Sequence, residues 1–337
     1  MKKVMLGLSG GVDSAVAAAL LRQDGYEVLG VYLDIGIGGG EADARAVAET
    51  IDVPLVVKDI RDDLQNKVCA PFIEAYFRGE TPNPCIMCNP AVKFRAIIEA
   101  ADAAGAQYIA TGHYARVRRD GGRAQLLQAA SSNDQSYMLC RLLPEQLDRL
   151  LLPLGELEKD EVRKLAEGFS LPVAHKPDSM EICFIPDGDY GAYLEQTGRA
   201  PAPGNFVDEA GNVLGRHRGI HRYTLGQRRG LGVSAGRRVF VSEIRVAENE
   251  IVLSDGNGLY VTDIAAKDVN WLTEPMTAPF TAEVKIRHSK AQTMAELTPH
   301  PDGTIAIHFV ELVRAPTAGQ SAAFYQENIL LGGAYIL

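Results

Sequence analysis

At 337 residues and a formal net charge of −9, the chain is long enough for two or three domains and too acidic overall to coat nucleic acid nonspecifically. No apolar run is long enough to cross a bilayer, and the opening MKKVMLGLSGG reaches glycine before a signal-peptide core could form, so the expectation is a cytoplasmic protein without membrane contact. Five cysteines, Cys69, Cys85, Cys88, Cys140 and Cys183, are an odd number in a large chain and argue against a secreted disulfide framework.

In chain order, KKVMLGL reads as a buried strand and DSAVAAALLRQDGY as a helix with alanine and leucine at helical spacing. Between them Gly7, Leu8, Ser9, Gly10, Gly11, Val12, Asp13 and Ser14 make a strand-to-helix turn, where backbone N–H groups and the positive end of the helix favour an anion. Neither a Walker A lysine nor Gly-x-Gly-x-x-Gly spacing is present. The ordered string Ser9 to Ser14 resembles the pyrophosphate loop of the ATP pyrophosphatases, which split ATP into AMP and pyrophosphate. EVLGVYLDI, VPLVVKDI and AQYIATGHY read as further strands, with helices around 42–50 and 92–104. This alternation predicts an α/β domain with a parallel sheet whose ligand lies at the carboxyl ends of the strands, where Leu33 and Gly112 also fall.

In TPNPCIMCNPAVKF, Pro82 and Pro84 stiffen the backbone on both sides of Asn83 and present Cys85 and Cys88 just before a helix, a position that lowers a thiol's pKa. A structural zinc half-site is disfavoured, because no second Cys-x-x-Cys exists. Cys183 follows a polar turn in KPDSMEICF, whereas Cys69 and Cys140 lie in apolar surroundings and read as packing residues. An ATP-cleaving loop with three separated thiols points to sulfur transfer, in which a thiolate or persulfide displaces AMP from an activated oxygen.

After about residue 185 glycine and proline become frequent, and the texture changes to a small second domain. Between Ala210 and Ser242 there is no acidic residue, while Arg216, Arg218, Arg222, Arg228, Arg229, Arg237 and Arg238 all fall inside, with His217 and His221. A single-sign stretch of this length favours a polyanion partner. From Tyr260 onward, alternating segments separated by turns predict an antiparallel sheet or small barrel.

GLSGGVDS, TPNPCIMCN…KF, ATGHYAR, NDQSYML, DSMEICF, YTLGQRRGLG and TAGQSAAFY stand in the order seen in the bacterial tRNA-uridine 2-sulfurtransferases, and the resemblance spans almost the whole chain. It implies a pyrophosphatase-type domain over 1–188, a small central tRNA-binding domain over 189–256 and a C-terminal antiparallel β-barrel over 257–337. It also implies ATP-dependent 2-thiolation of the wobble uridine in tRNAs for lysine, glutamate and glutamine, with Mg2+ and with sulfur supplied by a relay protein or cysteine desulfurase. Carried over by position, Gly7 to Ser14, Leu33 and Gly112 bind ATP, Cys88 is the nucleophile and Cys183 the persulfide carrier. Asn83, Pro84 and Cys85 lie beside the target base. His113, Asp134, Gln135, Ser136, Arg287, His288 and Gln320 match the family's tRNA contacts, and the basic stretch, on its charge alone, adds the expectation that Arg228 and Arg229 bind tRNA.

The chain departs from the family at Cys85, where many members carry an aspartate thought to act as acid or base; a thiol with a reference pKa of about 8.5 is a different proton-transfer group. A second reading follows, in which Cys85, Cys88 and Cys183 hold a [4Fe–4S] cluster with one open iron. Rival functions are an amidating ligase, a sulfate-activating reductase and a non-catalytic tRNA-binding protein. No glutaminase-like block supports the first. The arginine-rich stretch and C-terminal sheet have no place in the second, and the third has no need of three cysteines beside an ATP loop.

Overall fold

The computed structural model describes every residue except 1, 38–39, 120–121, 179–181, 235 and 289–290. Its first layer is a five-stranded parallel sheet built from β1 (Lys3–Gly7), β2 (Glu27–Asp34), β3 (Leu55–Asp59), β4 (Tyr108–Ala110) and, beyond the hairpin of β5 (Ala115–Arg118) and β6 (Gln125–Gln128), β7 (Leu150–Leu151). The order is β3-β2-β1-β4-β7. Val4, Met5 and Leu6 of β1 are buried, as the unbroken apolar run requires of a strand covered on both faces. The chain winds outward from β1 in both directions, so a topological switch point opens between β1 and β4, the place where parallel sheets take their ligands. The Gly7–Ser14 turn leaves β1 there, and Gly112 follows β4.

Helix α1 (Val12–Gln23) packs on the sheet and on the helix Lys159–Gly168. Ala15, Ala17 and Ala18 are completely buried; their small side chains let the helix lie close to both neighbours. Helix α2 (Gly40–Thr50) follows β2. The helices over 42–50 and 92–104 both form, and the second is longer than its periodicity predicts. It begins at Pro84 as Pro84–Cys88, passes through a π-type segment Asn89–Lys93 and continues as Phe94–Ala103. Such a π segment recurs at functional sites, and here it follows Cys88 directly.

The central unit is a four-stranded sheet of β8 (Asn205–Val207), β9 (Val213–Arg216), β10 (Phe240–Arg245) and β11 (Glu250–Ser254) in the order β10-β11-β8-β9. Phe206, Val241, Ile251 and Leu253 form its core with Ile220 and Tyr223. The last unit is β12 (Tyr260–Trp271), β13 (Phe280–Lys285), β14 (Thr293–Pro299), β15 (Ile305–Arg314), β16 (Ser321–Gln326) and β17 (Ile329–Ile336). These strands pair antiparallel in the order β12-β15-β14-β13-β16-β17, and a β12–β17 pairing closes them into a barrel, which removes the exposed edges of an open sheet.

One connection between the first and last units was invisible to periodicity. The β5–β6 hairpin extends the barrel sheet, with Leu126 and Leu127 paired to Leu330 and Ile329 of β17. Tyr137 and Tyr325, both fully buried, lie with Leu126 and Leu330 in one continuous core. The barrel is therefore built into the first domain.

Candidate active site

The glycine turn is held in shape by its own side chains and by distant lysines. Ser14 Oγ accepts from the Ser9 N–H at 3.2 Å and donates to Gly11 O at 3.0 Å. Gly10 has φ +75°, and a Cβ there would stand 2.4 Å from Gly40 O, so the position requires glycine. Gly11 caps α1 with no side chain of its own, leaving the first N–H groups of the helix for a ligand. Gly112 closes the crevice from β4; a Cβ on it would meet the backbone of Asp13 and Ser14 at 2.8 Å. Leu8 and Val12 are buried supports, whereas Ser9 is exposed.

Sequence reasoning missed the charges around this turn. Asp13 accepts from Lys159 Nζ at 2.7 and 2.9 Å and from the Tyr114 hydroxyl at 2.8 Å. Lys159 also pairs with Asp178, as does Arg163. Burial pushes Asp178 up, but these two cations outweigh it and hold the carboxyl below its usual range. Lys176 Nζ donates to Gly10 O at 2.9 Å and pairs with Asp43. These cations come from helices and loops about 150 residues downstream with no motif around them, so only the fold reveals that they surround the glycine turn.

The thiol region adjoins the turn through His113, the residue after Gly112. Its ring stacks on Phe94 at 6.0 Å, and its Nδ1 hydrogen bonds with Thr111 Oγ1 at 2.7 Å. Burial, with the ammonium of Lys93, pushes its pKa down to about 3, so the imidazole is neutral at physiological pH. Lys93 also acts on Cys88 and Cys183, which places one cation among the histidine and both sulfurs.

Asn83 caps the cysteine helix, its Oδ1 accepting from the N–H groups of Cys85 and Ile86 at 3.1 and 3.3 Å, with Pro84 at the first helical position. Replacing Asn83 by alanine removes both bonds and is expected to lower unfolding stability by about 1 kcal/mol, whereas Asn83→Asp keeps it; equilibrium urea denaturation checks the pair. The helix presents Cys85 to solvent and leaves Cys88 partly covered. Its N-terminus does not set the Cys88 pKa as predicted: the thiol lies a turn into the helix, where burial pushes it up against the opposing pull of Lys93. Cys183 is exposed at its surface yet backed by protein, and burial, reinforced by Cys88 and Cys85, pushes it up to about 11. Cys88 shares an apolar cluster with Leu33 of β2 and with Ile182, Phe184 and Ile185 around Cys183. Cys85, Cys88 and Cys183 lie near enough to act on one another electrostatically and form one neighbourhood. Ser179, Met180 and Glu181 of the DSMEICF block lie outside the described residues.

Cys69 and Cys140 are buried as expected. Burial pushes Cys140 up to about 12, against Gly333 of β17. Among the described residues, no group of three His, Cys, Asp or Glu side chains is arranged to hold a metal ion. The [4Fe–4S] alternative thus lacks an assembled ligand set in this conformation. None of the helices described is long and apolar enough to cross a membrane.

The residues expected at tRNA divide by exposure. Cys85, Arg228, Arg229 and His288 are exposed. Asp134 accepts from Ala129 N, Ser136 N and Ser136 Oγ; Ser136 is fully buried with a second bond to the Tyr325 hydroxyl, and so presents no atom to a ligand here. Gln135 Oε1 accepts from Tyr114 N. Gln320 Nε2 donates to Thr81 O at 2.5 Å, and Arg287 donates to Ala315 O at 2.7 Å. Arg222 is paired with Glu195 and Asp189, and His217 and His221 are buried. The free part of the basic stretch is therefore smaller than its composition suggests.

A parallel-sheet domain with an anion turn at its switch point, clustered thiols beside it and two β units downstream defines a nucleotide-dependent thiol protein of pyrophosphate-loop architecture. Residues 2–187 match the family model described as a tRNA methyl transferase HUP domain, 192–255 its PRC-barrel domain, and 261–336 an aminomethyltransferase beta-barrel domain. The tRNA-specific 2-thiouridylase MnmA of Clostridium perfringens is 42% identical over 352 aligned residues, covering 99% of this chain and 98% of that protein. Its counterpart in Caldicellulosiruptor saccharolyticus is 41% identical with the same coverage. A solved 4-thiouridine synthetase–RNA complex with bound ATP overlaps 58% of this chain and 50% of its own, at 18% identity and TM-score 0.38. The chain belongs to the tRNA-specific 2-thiouridylase family.

Proposed function

We infer that this protein is an ATP-dependent tRNA-uridine 2-sulfurtransferase acting on the wobble uridine. The observation that carries the reading is 42% identity with a 2-thiouridylase over 99% of this chain. ATP lies with its phosphates on the Gly7–Ser14 turn, bounded by Leu33 and Gly112. Lys159, Lys176 and Arg163 are placed to meet charge there if their carboxylate partners yield, and Asp13, a carboxylate on the turn itself, would hold a phosphate-bound Mg2+.

The uridine C2 oxygen attacks the α-phosphorus and pyrophosphate leaves. The terminal sulfur of a Cys183 persulfide, loaded by a sulfur-donor protein, then bonds to C2 as AMP departs. The Cys88 thiolate attacks Cys183 Sγ; the bond from Cys183 to the transferred sulfur breaks with its electron pair going to that sulfur, leaving thiouridine and a Cys88–Cys183 disulfide. A dithiol reductant reopens it. Cys85, exposed beside Cys88, stands where the family's acid or base acts, and His113, being neutral, can hydrogen bond with the base but carries no charge to it.

The direct test is mass analysis of the wobble nucleoside after incubation with tRNA, ATP, magnesium and a persulfide donor, under air and anaerobically. Thiouridine formed by iron-free protein supports the persulfide route; loss of activity with removal of iron transfers the three cysteines to the cluster reading. For tRNA docking, Arg228 and Arg229 are exposed, and among the described residues neither has a carboxylate partner. The double replacement Arg228→Ala/Arg229→Ala should weaken tRNA binding and flatten the slope of log K against log salt by about 1.5. Unchanged affinity and slope would assign both to structure.

A further inference from the structure

The two cysteine-bearing segments are far apart in sequence, and one short stretch of the central domain touches both. Arg222 clamps the helix Tyr190–Glu195, which follows Cys183: its Nε and Nη2 each lie 2.7 Å from a Glu195 carboxylate oxygen, and Nη1 lies 3.4 Å from Asp189. Arg222 is the sheltered partner, with 16% of its side chain exposed against 43% for Glu195, and the two-point geometry fixes its orientation better than a single contact would. Gly191 makes room for it, since a Cβ there would meet Arg222 Nη1 at 2.6 Å.

Two residues further on, Thr224 Oγ1 lies 3.2 Å from Thr81 Oγ1. Thr81 opens the loop that leads through Asn83 into the Cys85–Cys88 helix. The Thr224 hydroxyl also faces the phenol of Tyr190, close enough to oppose the upward push that burial gives it. The stretch is braced in turn: Thr224 N donates to Gln227 Oε1 at 3.1 Å, and Gln227 Nε2 donates to Arg229 O at 3.0 Å. On its far side Thr81 is fixed to the barrel, its N–H donating to Ala318 O at 2.8 Å.

We propose that Arg222 and Thr224 are positioning residues, a splint that holds the Cys183 segment and the Cys88 loop at the spacing sulfur transfer needs. The splint touches neither the nucleotide turn nor its lysines, so it governs the sulfur step and leaves uridine adenylation untouched. Displacing a reacting group by about 1 Å can cost orders of magnitude in rate, and two segments meeting at one hydroxyl pair are susceptible to such displacement. The inference rests on the sulfurtransferase reading above.

Thr224→Val removes the hydroxyl at nearly constant volume. With Cys183 loaded as persulfide and tRNA saturating, single-turnover thiouridine formation and Cys88–Cys183 disulfide formation are expected to slow about tenfold. tRNA-dependent pyrophosphate release and the KM for tRNA stay within twofold. Thr224→Ser restores the sulfur step. Thr81→Val should reproduce the defect, and the double variant should be no worse than Thr224→Val alone, because the contact Thr81→Val removes is already absent there. A Thr224→Val enzyme that transfers sulfur at wild-type rate overturns the proposal; so does a parallel fall in pyrophosphate release, failure of serine to rescue, or additive losses in the double variant. If Thr224→Val melts early, Thr81→Val with the same readouts decides. Wild-type protein that neither releases pyrophosphate with tRNA nor thiolates it brings down the function itself, an outcome distinct from these.

Discussion

In a single turnover without added thiol, Cys88→Ser and Cys183→Ser are each expected to lower thiouridine formation at least about a thousandfold, because each removes a sulfur that forms or breaks a bond. Both should still release pyrophosphate with tRNA, since the nucleotide turn is built from other residues. They should differ in what they leave behind. Cys183→Ser has no carrier for the incoming sulfur and leaves adenylated uridine to hydrolyse. Cys88→Ser forms the bond to C2 but cannot resolve it, and accumulates a Cys183–sulfur–tRNA adduct that thiol reductants release; denaturing electrophoresis with and without reductant separates the cases. The same assay in the wild type carries a pH signature. Burial raises the Cys88 thiol above the reference value of about 8.5, and Cys88 attacks as the thiolate. The single-turnover sulfur step should therefore climb with pH through neutrality and keep climbing beyond about 8.5. A plateau by pH 7 would mean that another group, beyond Lys93, supplies the missing stabilisation when tRNA is bound.

What could be read before folding was local. The parallel sheet followed from alternation of unbroken apolar runs with amphipathic segments, and the strand-to-helix turn followed from glycines set between them. The C-terminal barrel followed from period-two segments and turns; closure, set by the β12–β17 pairing, did not, because pairing partners lie far apart in the chain. What stayed hidden depends on chain separation. Lys159 and Lys176 reach Asp13 and Gly10 across about 150 residues, and the β5–β6 hairpin gives no sign in its own sequence that it will join the barrel. The basic stretch misled in the opposite sense: it lacks acidic residues internally, yet Arg222 finds Glu195 from outside it. Local composition cannot account for a partner contributed by another segment. Cys88 shows the same limit, since its helical position argued for a lowered pKa while the apolar packing brought by Phe184 and Leu33 raises it.

The nucleotide turn offers the second large effect. In Gly10→Ala the new methyl has nowhere to go: Gly40 O is 2.4 Å away, Asp43 Cβ 2.9 Å and Ala44 N 3.0 Å, and two of these are backbone atoms at the start of α2. The left-handed φ of +75° adds about 1 kcal/mol of strain for any residue with a Cβ. The turn must shift away from α2, which pulls Gly10 O from Lys176 Nζ and re-aims the N–H groups proposed to receive the phosphates. Pre-aimed donors of this kind are worth orders of magnitude when displaced, so tRNA-dependent pyrophosphate release should fall about a hundredfold or more. tRNA affinity should hold, because Arg228 and Arg229 belong to another domain. Gly258→Ala is the matched control, since that position has open space around it and no left-handed φ, and it should behave as wild type in both assays. If Gly10→Ala kept wild-type pyrophosphate release, the ATP phosphates could not be seated on this turn, and Cys88 and Cys183 would need an activated substrate made elsewhere in the molecule.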